Sequence, residues 1–255
     1  FAANAVACCF TVAMLLSLRT DQLHVGTPAA KRRGMLREGL DYALSKPTIY
    51  WPWLMAGFIA VFAMSLPVLL AAFADHVYDA GAGGYGLLNT LVALGALAGA
   101  ITSARRRALR LRSVVLGAGM YGLMLCLASL APSMAWFGVA MVLAGFWCLM
   151  FLTAANQLVQ VSANLAIRGR VMSLYIMVLI GGQAIGGPMM GWLAEHADPH
   201  TAVLVAGGVP VLAAATVAVV LARRGQLMLK VDLKDRRRLL RIVPTQSGRE
   251  AAATP

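Results

Sequence analysis

Charge is what this chain has least of. Asp, Glu, Lys and Arg make up 13% of its 255 residues, about half the ~25% usual in soluble domains. Acid is the scarcer sign, 10 residues against 22 Lys and Arg, and long stretches carry neither. Cysteine is sparse as well. Cys8, Cys9, Cys126 and Cys148 stand in apolar runs, with no CxxC or Cys/His spacing. That pattern supports neither a zinc site nor a disulfide framework, and each cysteine reads as a small apolar residue. His24, His76, His196 and His200 all lie between the apolar runs. HExxH, a Walker loop, a nucleophile elbow and paired carboxylates are missing. Acid–base, nucleophilic and metal catalysis therefore lack their groups, so no enzyme, cofactor or metal is expected.

What the chain has is hydrophobicity, 60% apolar residues with a mean hydropathy of +0.75. Crossing a bilayer takes ~20 apolar residues. Residues 48–74, 85–104, 113–131, 134–155, 171–194 and 201–222 qualify. Residues 1–18 read as one further span, since they lack the basic start and cleavage site of a signal peptide. The chain begins at Phe1 rather than Met, and is expected to be the later part of a longer protein. The expected fold is an all-α polytopic transmembrane helical bundle. It divides into a helix at 1–18, a linker at 19–47, a six-helix bundle at 48–222 and a basic, disordered tail at 223–255.

The placement of charge gives an orientation. Every Lys and Arg falls in the linker, in residues 105–112, at Arg168 and Arg170, or in the tail. The alternate loops hold none, and two of them carry Asp75, Asp79, Glu195 and Asp198. By the positive-inside rule, linker, basic loops and tail are cytoplasmic in a plasma (inner) membrane. The membrane thus accounts for the net charge of +12, and no nucleic-acid partner is expected. The spans form two sets of three that start from opposite sides, an arrangement open to an inverted repeat.

Local patterns add detail. In the linker, Leu36, Leu40, Ala43 and Leu44 share one face of a short helix, with Arg37, Glu38 and Asp41 off it. Such a helix lies in the membrane interface or docks on the bundle, and both readings stay open. Tyr50, Trp51 and Trp53 form an aromatic belt. Pro67 marks a kink. Gly95 and Gly99, Gly182 and Gly186, and Gly187 and Gly191 have the spacing that lets helices approach closely. Gly187-Pro188 is expected to bend or break its helix. Residues that could line an apolar cavity with a few polar groups are Phe58, Phe62, Ser65, Asn89, Trp147, Phe151, Asn156 and Gln183. Ordinary helix packing and lipid contact is the competing explanation for each.

At this point the pattern resembles a known family. Six spans behind a basic linker are similar to the C-terminal half of a twelve-helix major facilitator superfamily transporter, with residues 1–18 as the last helix of the first half. The strings L-R-E-G-L-D-Y-A-L-S-K-P (36–47), I-R-G-R-V-M-S-L-Y (167–175) and G-G-P-M-M-G-W-L-A (186–194) resemble the bacterial exporter branch that includes the enterobactin exporter. The resemblance implies a secondary transporter that exports a small apolar or amphipathic molecule, a siderophore or drug among the options, by alternating access. It also implies proton antiport and a second bundle as partner, besides substrate and bilayer. The family's G-x-L-a-D-r-x-G-r-r motif has a degenerate copy from Gly99 to Arg110, where Gly99 and Arg107 fit but Ser103 replaces the Asp and Arg106 the Gly. Arg105, Arg107, Arg168 and Arg170 are the candidates for a cytoplasmic gate. A membrane scaffold and an intramembrane lipid-modifying enzyme are the alternative readings.

Overall fold

A proline inside an apolar span has a structural consequence. Pro67 has no N–H to give to the carbonyl four residues back. In the computed structural model the first span is divided just before it, although Pro52, Pro188 and Pro210 lie inside helices that run on. Helix α3 (Pro47–Phe58) passes into a π turn at Ile59–Ala63, closed by the Met64 N–H on the Ile59 carbonyl at 2.8 Å. A turn at Met64 and Ser65 follows. The span resumes as α4 (Leu66–Ala72) and ends in a second π turn, Phe73–Val77. The structure describes residues 2–17, 35–105, 110–165, 167–223, 228–230 and 241–243.

The other spans are continuous: α5 (Gly81–Ala104), α6 (Leu111–Ser129), α7 (Met134–Ser162), α8 (Arg168–His196) and α9 (Pro199–Arg223). With the first span they make 6 helices, among the described residues, long and apolar enough to cross a membrane. Helix α7 runs on to Ser162, past the expected end at residue 155, because its polar last turns remain helical. Helix α8 runs through Pro188 without interruption, so Gly187-Pro188 does not break it. The first turn of that expectation is seen elsewhere, at Pro67.

Residues Phe1–Met35 form a unit of their own, which holds α1 (Ala2–Leu16). The tail, expected to be without order, contains two short strands, β1 (Met228–Lys230) and β2 (Arg241–Val243), paired antiparallel.

Four seams hold the bundle of six spans. Helix α5 packs on α7, α6 on both α7 and α9, and α8 on the first span. Glycine lets backbones meet in each. A Cβ at Gly95 would overlap the Val142 carbonyl, and one at Gly145 would overlap that of Val92. Gly122 and Gly207 face each other across α6 and α9, where a Cβ on either would stand 2.5 Å from the other's carbonyl. A Cβ at Gly186 would overlap the Val61 carbonyl. This is the small-residue packing that lipid favours, since apolar side chains gain little by leaving hydrocarbon.

The outside is apolar: Leu94, Leu97, Leu116, Leu127, Trp136, Ile185 and Leu212 are all exposed. A surface like this suits lipid rather than water. Thr90, Thr102 and Thr216 point their hydroxyls at the carbonyl four residues back, so none is left unbonded in hydrocarbon.

Two clusters tie the ends. At the acidic end, Phe73 stacks on Phe137 with ring centroids 4.4 Å apart and meets the His200 ring edge-on at 4.9 Å. Nδ1 of His200 is 2.6 Å from the Ser129 carbonyl. Together they join the first span, α6, α7 and α9. Tyr78 packs against the same rings, and burial raises its phenol above the ordinary tyrosine range.

At the basic end, α2 (Met35–Ser45) docks on the bundle. Its inward face is not the leucine stripe. Gly39 and Ala43 are buried, whereas Leu40 and Leu44 are 42% and 52% exposed. The reason is distance: a Cβ at Gly39 would stand 3.2 Å from Leu174 Cδ1, so only small residues let α2 approach α8.

Candidate functional site

Breaking a helix inside a membrane leaves carbonyls that must find donors. Pro67 deprives the Ala63 carbonyl, and the fully buried Tyr121 hydroxyl of α6 donates to it at 2.7 Å. The turn deprives Met64 next, because the Val68 N–H goes to Ser65 instead, at 3.1 Å. Gln183 Nε2 of α8 donates to the Met64 carbonyl at 3.3 Å. The irregular backbone of the first span is therefore completed by side chains from two other helices.

Around this break lie two charge-free cavities, on either side of α8. The first, about 500 Å³, is an apolar groove between the first span and α8. Trp53, Phe58, Val61 and Phe62 line it from one side and Val178 and Gly182 from the other, with Leu44 of α2 and Tyr50 at its basic end. The second, about 300 Å³, lies between α7, α8 and Met64. Leu152, Ile176, Leu179 and Ile180 make it apolar, while Asn156, Tyr175 and Gln183 bring polar groups. Among the described residues, two buried donors near these cavities find no partner, Trp53 Nε1 and the Tyr175 hydroxyl. Such groups are uncommon in a membrane interior because a missing bond is costly there.

The expected residues divide cleanly. Phe58 and Phe62 line the groove; Asn156 and Gln183 line the second cavity. Asn156 also accepts from Gln160 Nε2 at 2.8 Å. Ser65 is buried under α8, its hydroxyl 2.9 Å from where a Cβ of Gly186 would be. Phe151 is fully buried against Gly117 of α6, where a Cβ would stand 3.1 Å from Phe151 Cβ, and it lines neither cavity. Trp147 packs edge-on against Phe146 at 5.3 Å, and neither it nor the exposed Asn89 lines either cavity. Gly182 and Gly186 form the α8 seam, and Gly95 and Gly99 the α5 seam, while Gly187 faces open space.

The arginines separate too. Arg107 lies outside the described residues. Arg105 is exposed at the end of α5, and Arg168 begins α8 half-buried. Arg170 Nη1 meets Glu38 Oε2 of α2 at 2.9 Å. Beside this pair the Tyr42 hydroxyl oxygen accepts from the Asn164 N–H at 3.1 Å and from Lys46 Nζ at 2.6 Å. The Lys46 bond pulls the Tyr42 phenol below the ordinary tyrosine range. Ser103, standing where the family motif has Asp, shares a 2.7 Å hydrogen bond with Thr153 of α7.

A larger hollow of about 890 Å³ opens at the acidic end, lined by Asp75, His76, Tyr85, Glu195 and Asp198 among smaller residues. Lys and Arg are absent from its wall.

Sequence reasoning passed over Tyr42, Trp53, Tyr121 and Tyr175 as site residues. A signal for Tyr121 was present: Pro67 frees a carbonyl, and a lone tyrosine in an apolar span needs a bond for its hydroxyl.

Among the described residues, these cavities lie in a bundle of six spans long and apolar enough to cross a membrane. A family model of the major facilitator superfamily, described as transmembrane secretion effector, matches residues 1–238. The chain belongs to that family. It is thus a multi-pass membrane protein of a transporter family, which is the coarse form of the resemblance drawn from its strings. Neither a curated protein nor a solved structure matches the chain. The family match carries no substrate and does not single out the enterobactin exporter.

Proposed function

We propose that the chain is the C-terminal half of a proton-coupled exporter, which moves a small apolar or amphipathic molecule out of the cytoplasm by alternating access. The observation that carries this reading is the pair of charge-free cavities flanking α8 at the break of the first span. An ion placed there would lose its hydration with no counter-charge to replace it, so the cargo is uncharged where it is held. Phe58 and Phe62 offer aromatic surface; Asn156, Tyr175 and Gln183 offer orientation.

A second bundle is part of the proposal. Helices α5 and α8 are the least covered of the spans, and they offer the faces against which a second half would rock. Linker, basic loops and tail lie in the cytoplasm of the inner membrane on this reading, held there by their Lys and Arg. No Asp or Glu falls inside the apolar runs, so the proton-carrying acid belongs to the other half.

Flux tests this. The full-length protein is reconstituted in proteoliposomes with N-phenylnaphthylamine, an uncharged apolar fluorophore, and a pH gradient is imposed. Gradient-driven, saturable movement that falls at least tenfold in Phe58→Ala/Phe62→Ala supports the reading. Movement indifferent to the gradient and to both substitutions overturns it. Residues 1–255 alone are expected to carry no such flux, because nothing closes the cavities on the open side.

A further inference from the structure

Helix α2 reaches the groove as well as the bundle: Leu44 forms the groove's wall at the basic end. Few contacts keep it there. Glu38 pairs with Arg170 at the start of α8 at 2.9 Å, and Tyr42 accepts the Asn164 N–H in the α7–α8 connection at 3.1 Å. Gly39 and Ala43 seat the backbone on α8 without a large apolar side chain. Lys46, bonded to the same Tyr42 oxygen at 2.6 Å, directly precedes the first residue of the first span. The helix is thus strapped to both walls of the groove, α8 through Glu38 and Gly39 and the first span through Lys46.

We propose that α2 is a releasable lip on the basic-end mouth of the apolar groove, clamped by Glu38–Arg170 and Tyr42–Asn164. The proposal rests on the reading that the groove carries cargo. The chemistry of the clamp suits a part that opens in every cycle. Its ion pair is partly in water, with Glu38 63% exposed, and such a pair shifts an equilibrium by about fivefold at most. Leu40 and Leu44, which could have anchored α2 firmly, are only about half covered. A hydrophobic anchor would hold the mouth shut; small residues and two polar bonds hold it reversibly. Arg170 is then a positioning residue for the lip, paired with a carboxylate of its own chain.

Labelling measures the lip without any cargo. In the full-length protein, Cys8, Cys9, Cys126 and Cys148 are replaced by Ala, and Leu54→Cys puts one thiol on the groove wall. An impermeant maleimide is added to membranes opened by freezing and thawing, so that both faces are reached. Glu38→Gln and Tyr42→Phe are each expected to speed labelling by about threefold, and together by about tenfold. Arg37→Gln removes a charge from α2 outside the clamp, where Arg37 faces Asp41 at 3.9 Å, and is expected to change nothing. An unchanged rate in Glu38→Gln/Tyr42→Phe overturns the lip, as does an equal acceleration by Arg37→Gln. Efflux of N-phenylnaphthylamine from the same variants tells the two proposals apart. Faster labelling with unaltered efflux leaves the lip standing and removes the groove from the route; faster labelling with altered efflux supports both.

Discussion

The α5–α7 seam and the seam between α8 and the first span are built from the same part and behave differently. In both, glycine brings one backbone onto the carbonyls of another: Gly95, Gly99 and Gly145 in the first, Gly182 and Gly186 in the second. In the first seam both partners are unbroken helices, each completing its own hydrogen-bond ladder. In the second, α8 presses on a π turn and a break whose carbonyls depend on Tyr121 and Gln183. Close packing therefore does not by itself make a rigid seam. What decides is whether the ladder is completed within the helix or by side chains that can let go. The two cavities beside α8 lie at the second seam, whereas the α5–α7 seam holds a purely apolar one of about 420 Å³ between Leu87, Leu91, Met134 and Val142, with no polar side chain on its wall.

The largest expected effect treats the seams alike. Gly95→Leu and Gly186→Leu both drive a side chain into a neighbouring carbonyl, where nothing flexible can yield. Each should cost ~3 kcal/mol, the upper end of what overpacking typically costs, seen as loss of the folded fraction during unfolding of the purified protein in micelles. A mild loss at Gly186 alone would mean that the broken span simply moves aside, which would sharpen the contrast.

The next test separates them. Tyr121→Phe leaves the Ala63 carbonyl buried and unbonded, at ~1–3 kcal/mol. With Pro67→Ala present, residue 67 regains an N–H, and the same substitution should cost less than half as much. Equal costs in both backgrounds, measured as a double-mutant cycle, would deny that Tyr121 serves the break.

A smaller effect is expected from Gln183→Leu. Membrane hydrogen bonds are worth ~0.6 kcal/mol on average, so stability should barely move. Hydrogen exchange of the amides from 64 to 69 should still quicken severalfold, while amides of α5 and α7 stay as they were. Uniform quickening would make the two seams equivalent after all.

The smallest belongs to Gly187→Ala. Nothing lies within 4 Å of where its Cβ would be, and α8 is already helical there, so the change should be neutral or add up to ~1 kcal/mol of stability. A clear loss would show that Gly187 bends α8, as its neighbour Pro188 had suggested.

How much was legible beforehand follows from how local each cause is. Six spans, their approximate limits and the break at Pro67 could be read from hydropathy and one missing N–H, because both act within a few residues. The groove's Phe58 and Phe62 were found by helical spacing, and Gln183 as a polar group in an apolar run. Phe151 shared the spacing of Trp147 yet went to the core, since the face it occupies is set by Gly117 on another helix. The apolar face of α2 was seen, and its Ala43 is buried as that face requires, but Leu40 and Leu44 stay partly exposed while the room available favoured Gly39, which hydrophobicity did not mark.

By itself, then, the sequence determined that this chain enters a membrane and where six of its spans lie, and it marked Pro67 as a place where the first of them could yield, since desolvation and a proline's missing donor operate along the chain. The tertiary structure decided which side chains complete that break, which aromatics face a cavity rather than the core, and that Arg170 finds Glu38, 132 positions away. Those outcomes turn on angles and distances between helices, and no periodicity within one helix contains them.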